Sequence, residues 1–355
     1  MTREKDTHMR FLITGGAGFI GSHLSERLIS QGHRVTVLDD LSTGSLDNVA
    51  ALAGHPRFEF VQGSVLTKSL VRRLVGASDR VIHLAAAVGV RRILQDPLSS
   101  LKINIDGCDN VLNACAETGC GVLIASTSEV YGKNDAESLC ENADSILGPA
   151  SIERWSYATA KKLDEFLALA YHASYGIPVI VTRFFNIVGP RQSARYGMVL
   201  PAFVRSALAG DPIRVFGDGG QTRNFTYVDD CIDALMRLLE NPAANGKIFN
   251  IGGSEEVSMR VLAERVRTAA DSSSRIEMVS YQEAYPEGSF EDMRRRVPCI
   301  CHIKGLTGWA PTTSLHAVIR KTIEHERNRQ ESKSLPCPLP VVFQETHAEF
   351  AHEAG

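Results

Sequence analysis

The sequence lacks the features that mark membrane, secreted or nucleic-acid-binding proteins. No stretch approaches the roughly 20 consecutive apolar residues of a membrane span. The opening segment MTREKDTHMR is mixed in charge and has no apolar core of a secretion signal. The formal net charge is −3 over 355 residues, so the broad positive field of a nucleic-acid-binding surface is absent. We therefore expect a cytoplasmic protein with no membrane or nucleic-acid partner, in which local cations hold any anionic ligand.

Cysteine spacings typical of zinc sites are also missing. The eight cysteines are scattered: Cys299 and Cys301 form C-x-C, and Cys115 and Cys120 are five residues apart. Neither spacing matches the C-x-x-C pairs of zinc sites, which predicts free thiols and no metal. There is no internal repeat. The length and the 44% hydrophobic content fit one large domain or two medium domains with a sizeable core.

The sequence does contain a regular alternation of apolar strand segments and amphipathic helical segments. Helices are predicted up to about residue 30 and over 69–74, 97–118 and 156–174. Strands are predicted over 10–14, 34–38, 58–61, 80–84, 122–125 and 179–183. This alternation predicts an α/β fold, in which a doubly wound parallel sheet of the Rossmann type carries helices on both faces.

A glycine-rich turn follows the first predicted strand and leads directly into a helix. Residues 14–21 read TGGAGFIG, with Gly15, Gly18 and Gly21 spaced G-x-x-G-x-x-G. Such glycines permit a tight turn and close approach of a pyrophosphate to the helix N-terminus. Asp39 ends the next strand, about 20 residues on, where a carboxylate binds an adenosine ribose. Because that carboxylate repels a 2′-phosphate and no arginine follows in LDDLSTG, NAD is favoured over NADP.

The amino-acid composition of the chain changes after about residue 186. Glycine and proline become frequent, and the predicted strands become shorter. We expect an NAD-binding Rossmann domain over 9–185 and a smaller mixed α/β substrate-binding region over 186–327, with later segments returning to the sheet. Residues 328–355 are polar and proline-bearing, which predicts a loose tail.

Tyr157 and Lys161 form a Y-x-x-x-K pair within a predicted helix. The i to i+4 spacing places both side chains on one face of that helix. A lysine ammonium favours the phenolate and is expected to lower the tyrosine pKa from its usual value of about 10. The pair therefore predicts that Tyr157 acts as a general base.

A strand-end segment, STSEVYG, precedes this helix by about 30 residues. It places Thr127, Ser128 and Glu129 at the carboxyl edge of the sheet, where doubly wound folds bind ligands. We expect Thr127 to hydrogen bond to a substrate hydroxyl and to the Tyr157 oxygen. Ser128 and Glu129 are expected to act on neighbouring carbon atoms.

These motifs, together with HLAA, YATAK, RFFNIVGPR and FGDGGQTRNFTYVDD, resemble the extended short-chain dehydrogenase/reductase family. The resemblance runs from about residue 9 to 315. Within that family, the motifs are most similar to those of the NAD-dependent nucleotide-sugar epimerases, dehydratases and decarboxylases. It implies a tightly held NAD that is oxidised and reduced within each turnover, while Tyr157 takes a proton from a sugar hydroxyl. It also implies a homodimer formed through the two long helices.

The resemblance further implies ligand contacts, residue by residue. Positions that match cofactor contacts are Gly15, Gly18, Phe19, Ile20, Gly21, Asp39, Ser64, Leu84, Ala85, Ala86, Tyr157 and Lys161. Positions that match substrate contacts are Val88, Asn186, Arg191, Arg195, Leu200, Phe203, Phe216, Arg223 and Arg296. Among them, Asn186, Arg223 and Arg296 match contacts to the diphosphate, and Leu200, Phe203 and Phe216 match positions that flank the nucleotide base. In two places the chain departs from the family: Ser64 replaces an aspartate that contacts adenine, and Ser128 replaces the aspartate of sugar 4,6-dehydratases.

Several reactions remain open, and all begin with a transient 4-keto sugar. The Ser128 substitution disfavours a dTDP-glucose dehydratase. The segment from RWSYATAK to RRRVP looks most like bacterial UDP-hexuronate 4-epimerases, so we predict conversion of UDP-glucuronate to UDP-galacturonate. Arg191 or Arg195 would then bind the hexuronate carboxylate. STSEVYG also occurs in UDP-glucuronate decarboxylases, which give UDP-xylose. Further alternatives are a 4-epimerase of UDP-glucose or UDP-N-acetylglucosamine, and a non-catalytic NAD-binding scaffold or redox sensor.

Overall fold

A computed structural model describes residues 8–89, 96–193, 198–284 and 293–333. Its strands, numbered along the chain, are β1 (Arg10–Thr14), β2 (Arg34–Asp39), β3 (Phe58–Gln62), β4 (Arg80–His83), β5 (Gly121–Thr127), β6 (Val179–Phe184), β7 (Ile187–Val188), β8 (Ile213–Phe216), β9 (Thr222–Asn224), β10 (Thr226–Tyr227), β11 (Lys247–Ile251), β12 (Glu256–Ser258), β13 (Ile276–Val279) and β14 (Arg295–Arg296).

The helices within the same residues are α1 (Phe19–Ser30), α2 (Lys68–Gly76), α3 (Pro97–Thr118), α4 (Arg154–Tyr175), α5 (Val199–Ala209), α6 (Val228–Glu240), α7 (Met259–Ala269), α8 (Tyr281–Ala284), α9 (Cys301–Thr307) and α10 (Leu315–Lys333). None of these described helices is both long enough and apolar enough to cross a membrane.

Seven parallel strands form the central sheet, in the order β11-β6-β5-β4-β1-β2-β3. Helices α2, α3 and α4 contribute one apolar core against one face, and α1 and α6 contribute to a second core. The predicted doubly wound parallel sheet is confirmed, and each of its six predicted strands appears within a few residues of the expected bounds. The strand order reverses beside β1 and β4, and such a point opens a crevice at the carboxyl ends of the strands.

The long helix α3 shows how local sequence sets these bounds. Asp96 caps its N-terminus by accepting a hydrogen bond from the Ser99 N–H at 3.1 Å, and Pro97 occupies the first turn. Gly119 ends the helix in the left-handed conformation, with φ of 71°. The predicted range of 97–118 is therefore the observed range.

The chain after residue 186 forms short strands around the mouth of the central sheet. β9 lies between β12 and β14, β8 pairs with β13, and β7 pairs with β10. β11 leaves this region and joins the central sheet beside β6. Helix α10 continues to Lys333, into the segment predicted as a tail, and residues 334–355 lie outside the described part of the chain.

Candidate active site

The carboxyl ends of the central strands open into one long cleft. Every predicted site residue in the described part of the chain lines this cleft except Ser64. The Ser64 hydroxyl accepts a hydrogen bond from the Leu66 N–H at 3.2 Å, and Gly63 and Val65 form the wall in its place. Arg195 lies outside the described residues. The cleft thus brings together the predicted cofactor, catalytic and substrate positions.

The glycine turn is built by close backbone packing. Gly15 has a φ of +72°, and a Cβ there would lie 2.7 Å from the Ala85 nitrogen. A Cβ on Gly21 would lie 2.6 Å from the Gly15 carbonyl oxygen. Gly18 is the N-cap of α1 and offers no side-chain cap. The turn therefore leaves the start of a twelve-residue helix facing the cleft, which is the environment that a pyrophosphate requires.

Asp39 is held rigidly at the end of β2. Its two carboxylate oxygens accept hydrogen bonds from the Ala17 N–H at 3.0 Å and the Leu41 N–H at 2.9 Å. Burial raises the pKa of Asp39, and these hydrogen bonds oppose that rise. A carboxylate oxygen has lone pairs beyond these two bonds, so Asp39 can still accept from ribose hydroxyls. The glycine turn and Asp39 together fit a dinucleotide such as NAD.

Tyr157, Thr127 and Lys161 meet beyond the ends of β4 and β5. The Tyr157 phenol hydrogen bonds to the Thr127 hydroxyl, and Lys161 adds a nearby positive charge. Burial nevertheless raises the pKa of Tyr157 to about 12. The predicted lowering of this pKa is therefore wrong in net direction. Lys161 and Thr127 do favour the phenolate, but loss of solvation outweighs them.

Glu129 lies between two arginines in the part of the cleft where the sugar is predicted to bind. We call this part, formed around Glu129, Arg154 and Arg296, the sugar end. Its carboxylate pairs with Arg154 at 3.2 Å and with Arg296 at 3.3 Å. Arg154 was not predicted, although it stands three residues before Tyr157, a spacing that places both on one face of α4. Ser128 is buried beside Glu129. Arg154 and Arg296 thus bring two guanidinium groups, the usual protein partners of a carboxylate or phosphate, to one part of the cleft.

The arginines predicted to bind phosphate belong to two paired strands. Arg223 on β9 and Arg296 on β14 are register partners, and both are largely buried. Arg296 also donates to the Asn186 side-chain oxygen at 3.2 Å, which joins a third predicted residue to this group. The predicted base-flanking residues line the same cleft from α5 and β8, namely Leu200, Phe203 and Phe216.

Arg191 occupies a different part of the cleft. Its guanidinium pairs with Glu26 on α1 at 2.5 Å, and its backbone N–H donates to His325. Its own φ is 69°, in the left-handed region. Binding of a hexuronate carboxylate by Arg191 remains a prediction, whereas the ion pairs with Glu129 place Arg154 and Arg296 together at the sugar end.

Comparison with known proteins agrees with this geometry. Residues 11–252 match the model of the NAD dependent epimerase/dehydratase family. A UDP-N-acetyl-alpha-D-glucosaminuronate decarboxylase of Bacillus cytotoxicus is 40% identical over 89% of this chain and 97% of that protein. UDP-glucuronic acid decarboxylase 5 of Arabidopsis thaliana is 37% identical over 87% of this chain and 86% of its own length.

A solved structure shows the same fold. The UDP-glucuronic acid 4-epimerase of Bacillus cereus, crystallised with UDP-glucuronic acid and NAD, superposes with a TM-score of 0.82 at 28% identity. The match covers 90% of this chain and all of that chain. With the glycine turn, Asp39 and the Tyr157–Lys161 pair in place, the chain belongs to the NAD-dependent epimerase/dehydratase family of enzymes.

Proposed function

We propose that this enzyme decarboxylates a UDP-hexuronate through a 4-keto intermediate. The observation that carries the proposal is the pair of arginines, Arg154 and Arg296, that flank Glu129 at 3.2 and 3.3 Å. A uronic acid differs from a neutral hexose by a carboxylate at C6, and an arginine pair is the usual protein partner of such a group. The proposal therefore assigns Arg296, which was predicted to contact phosphate, to the carboxylate and leaves the diphosphate to Arg223. The two decarboxylases that share 40% and 37% of their residues with this chain support the same reaction.

The first step is oxidation of the sugar at C4. Tyr157, hydrogen-bonded to Thr127, accepts the proton of the 4-hydroxyl, and the positive charge of Lys161 favours the phenolate. When bound, NAD supplies the reversible hydride chemistry. We also assign the binding of a ribose hydroxyl to Lys161, which lines the cleft.

The second step breaks the bond between C5 and C6. A ketone at C4 makes the C6 carboxylate part of a β-keto acid. Carbon dioxide leaves, and the electron pair of the broken bond forms an enolate between C4 and C5. Negative charge thereby moves from the carboxylate, beside Arg154 and Arg296, to the oxygen beside Thr127 and Tyr157. A preorganised hydroxyl and ammonium at that oxygen stabilise the enolate.

The reaction closes with a proton and a hydride. A proton that derives from water replaces carbon dioxide at C5, and we assign its delivery to Ser128 and Glu129, which line the cleft. Return of hydride to C4 and of the Tyr157 proton to the oxygen then gives a UDP-pentose. UDP-glucuronate would give UDP-xylose, and UDP-N-acetylglucosaminuronate would give its 2-acetamido counterpart.

Proton NMR with parallel detection of carbon dioxide tests this proposal. The purified enzyme is incubated with UDP-glucuronate or UDP-N-acetylglucosaminuronate, with and without added NAD. We expect carbon dioxide and a UDP-pentose from at least one of them. Growth of a galacto-configured anomeric signal without carbon dioxide would instead establish the 4-epimerase, our second candidate, which the fold match to the Bacillus cereus enzyme favours.

No change with either uronate would overturn both reactions. Neutral UDP-glucose and UDP-N-acetylglucosamine would then be tested for 4-epimerisation. A complete absence of turnover, together with NAD binding, would favour a scaffold.

We also propose a homodimer formed through α3 and α4. These helices pack against each other and carry apolar side chains that face outward: the exposed fractions are 64% for Leu98, 40% for Leu163, 65% for Phe166 and 65% for Tyr175. Burial of such a group against a second copy is favourable.

Light scattering coupled to size-exclusion chromatography tests the dimer. We expect twice the chain mass for the native protein and the chain mass for Phe166→Glu. Met278→Glu, at an exposed apolar residue on β13, is the matched control and should keep the native mass. A native protein that elutes with the mass of one chain would refute the dimer.

A further inference from the structure

Asp164 lies directly behind the catalytic lysine and belongs to no motif recognised in the sequence. It follows Lys161 by three residues on α4, and its Oδ2 accepts a hydrogen bond from the Lys161 Nζ at 3.0 Å. The exposed fractions of the two side chains are 2% for Lys161 and 0% for Asp164. Lys161 lines the cleft, whereas Asp164 does not. The carboxylate therefore acts on the cleft only through its neighbours.

Stability does not account for this buried ion pair. Removing two charges from water costs several kcal/mol per ion, and the attraction within such a pair often does no more than offset that cost. The chemistry proposed at Tyr157 accounts for Lys161, but it does not by itself account for the buried carboxylate of Asp164. The thiol of Cys108, on α3, is a further close neighbour of Asp164.

Charges of both signs surround the Tyr157 phenol. Asp164 and Glu129 favour the neutral phenol, and Lys161 favours the phenolate. Burial alone lowers the pKa of Lys161, but the negative charge of Asp164 and the Tyr157 phenolate reverse the direction and raise it. The titratable groups that interact with Tyr157 or Lys161 are Glu129, Asp164, Cys108 and His83. Arg154 and Arg296 are paired with Glu129 and adjoin this group through it.

We propose that Asp164 is a positioning residue: its buried carboxylate holds the Lys161 ammonium beside Tyr157 through the 3.0 Å hydrogen bond and, by its own negative charge, opposes the effect of that ammonium on the phenol. Asp164 thereby keeps Lys161 charged and moderates its pull on the Tyr157 proton. The effect on Tyr157 ionisation is independent of the substrate. Its effect on turnover rests on the proposed function.

Near-ultraviolet tyrosinate titration tests the proposal without substrate. Asp164→Asn and the double variant Asp164→Asn/Tyr157→Phe are both titrated, and the difference between the two curves reports Tyr157 alone. The native protein and Tyr157→Phe are titrated in the same way. Asparagine keeps the volume and removes the charge. We expect the Tyr157 midpoint to fall by about one pH unit in Asp164→Asn, because a like charge has been removed from a buried phenol.

Cys108→Ala is the matched control, since it removes a neighbour of Asp164 but keeps the carboxylate charge. Its midpoint should stay within about 0.3 unit of the native one, a small fraction of an ordinary charge effect. Asp164→Ala provides a second variant if the asparagine protein does not fold, and the melting temperature is recorded for each. A midpoint that is unchanged or higher in the folded Asp164 variants would overturn the proposal, whatever happens to activity.

The pH dependence of kcat/KM with a UDP-hexuronate adds the functional half of the test. We expect the acidic limb to move to lower pH in Asp164→Asn, in step with the titration. A loss of kcat with an unmoved limb would indicate a purely structural role for Asp164 and contradict the proposal. If the native enzyme turns over no uronate, the proposed function fails, while the tyrosinate titration still decides the role of Asp164.

Discussion

The cofactor end and the sugar end of the cleft are built by different means. The cofactor end consists of backbone: the Gly15 turn, the start of α1 and the end of β2 lie within about 30 residues of one another, the span of one βαβ unit. The sugar end consists of charged side chains from distant segments, and Glu129 and Arg296 are 167 residues apart in sequence. Backbone shape thus defines one ligand and converging charge defines the other, so substitutions should affect the two ends in different ways.

The largest effect is expected at Tyr157, where the two ends meet. Tyr157→Phe removes the proton acceptor and should lower kcat by a factor of about 10² to 10⁴, the usual contribution of general acid–base catalysis. NAD binding and the melting temperature should stay near native. Steady-state kinetics and calorimetric titration with NAD measure both. Near-native turnover would show that another group is the base.

Arg154→Met tests the sugar end through charge. The variant should bind UDP-glucuronate about 10- to 100-fold more weakly, because a charge-assisted hydrogen bond is worth roughly 1.5–3 kcal/mol. Affinity for UDP-glucose should change little. The companion variant Arg223→Met should weaken both ligands, because Arg223 is expected to bind the shared diphosphate. Isothermal titration calorimetry gives the four dissociation constants, and equal losses for both sugars in Arg154→Met would refute the carboxylate role.

Gly15→Ala tests the cofactor end through shape. The added Cβ meets the Ala85 backbone at 2.7 Å at a φ of +72°, so we expect a loss of about 2–4 kcal/mol of unfolding free energy and severe loss of NAD affinity. Gly119→Ala is the matched control: its φ is +71°, but no atom lies within 4 Å of the added Cβ. It should cost about 1 kcal/mol and leave NAD binding intact. Urea denaturation measures the unfolding free energy of each variant, and calorimetric titration measures its NAD affinity. Equal losses in Gly15→Ala and Gly119→Ala would contradict the steric argument.

The smallest effect, on the pH dependence of stability, is expected at His83, the last residue of β4. Its Nδ1 hydrogen bonds to the Thr14 hydroxyl at 2.7 Å, and burial lowers its pKa from 6.5 to about 3. Below pH 6.5 the imidazole of His83 is protonated in the unfolded chain but stays neutral in the folded protein. The contribution of His83 to the free energy of unfolding is therefore fully present above pH 6.5 and is lost as the pH falls towards 3.

We therefore expect a loss of about 1 kcal/mol in unfolding free energy between pH 6.5 and 5.5, near the limit of 1.4 kcal/mol per pH unit for one proton. The same measurement on His83→Gln should show a loss smaller by that amount. Urea denaturation at the two pH values decides it, and equal losses in both proteins would mean that His83 is not the group responsible.

The same contrast explains what the sequence could predict. The strands, the glycine turn and Asp39 were predicted because steric rules act over short spacings. Arg154 and Asp164 were missed although each stands three residues from a predicted catalytic residue, because spacing places a side chain on a helix face without revealing what that face contacts. The pKa of Tyr157 was predicted in the wrong direction for a related reason: the lysine is visible in the motif, whereas the burial of the phenol arises only from the folded chain.

The long sequence separation within the sugar end also bears on biosynthesis. Strands β1 to β4, the glycine turn, Asp39, Tyr157 and Lys161 all precede residue 162, whereas Arg296 is added more than a hundred residues later. A ribosome-bound chain therefore contains every predicted cofactor contact before Arg296 on β14 has been synthesised. Any step of the proposed reaction that uses Arg296 must wait until synthesis has passed β14.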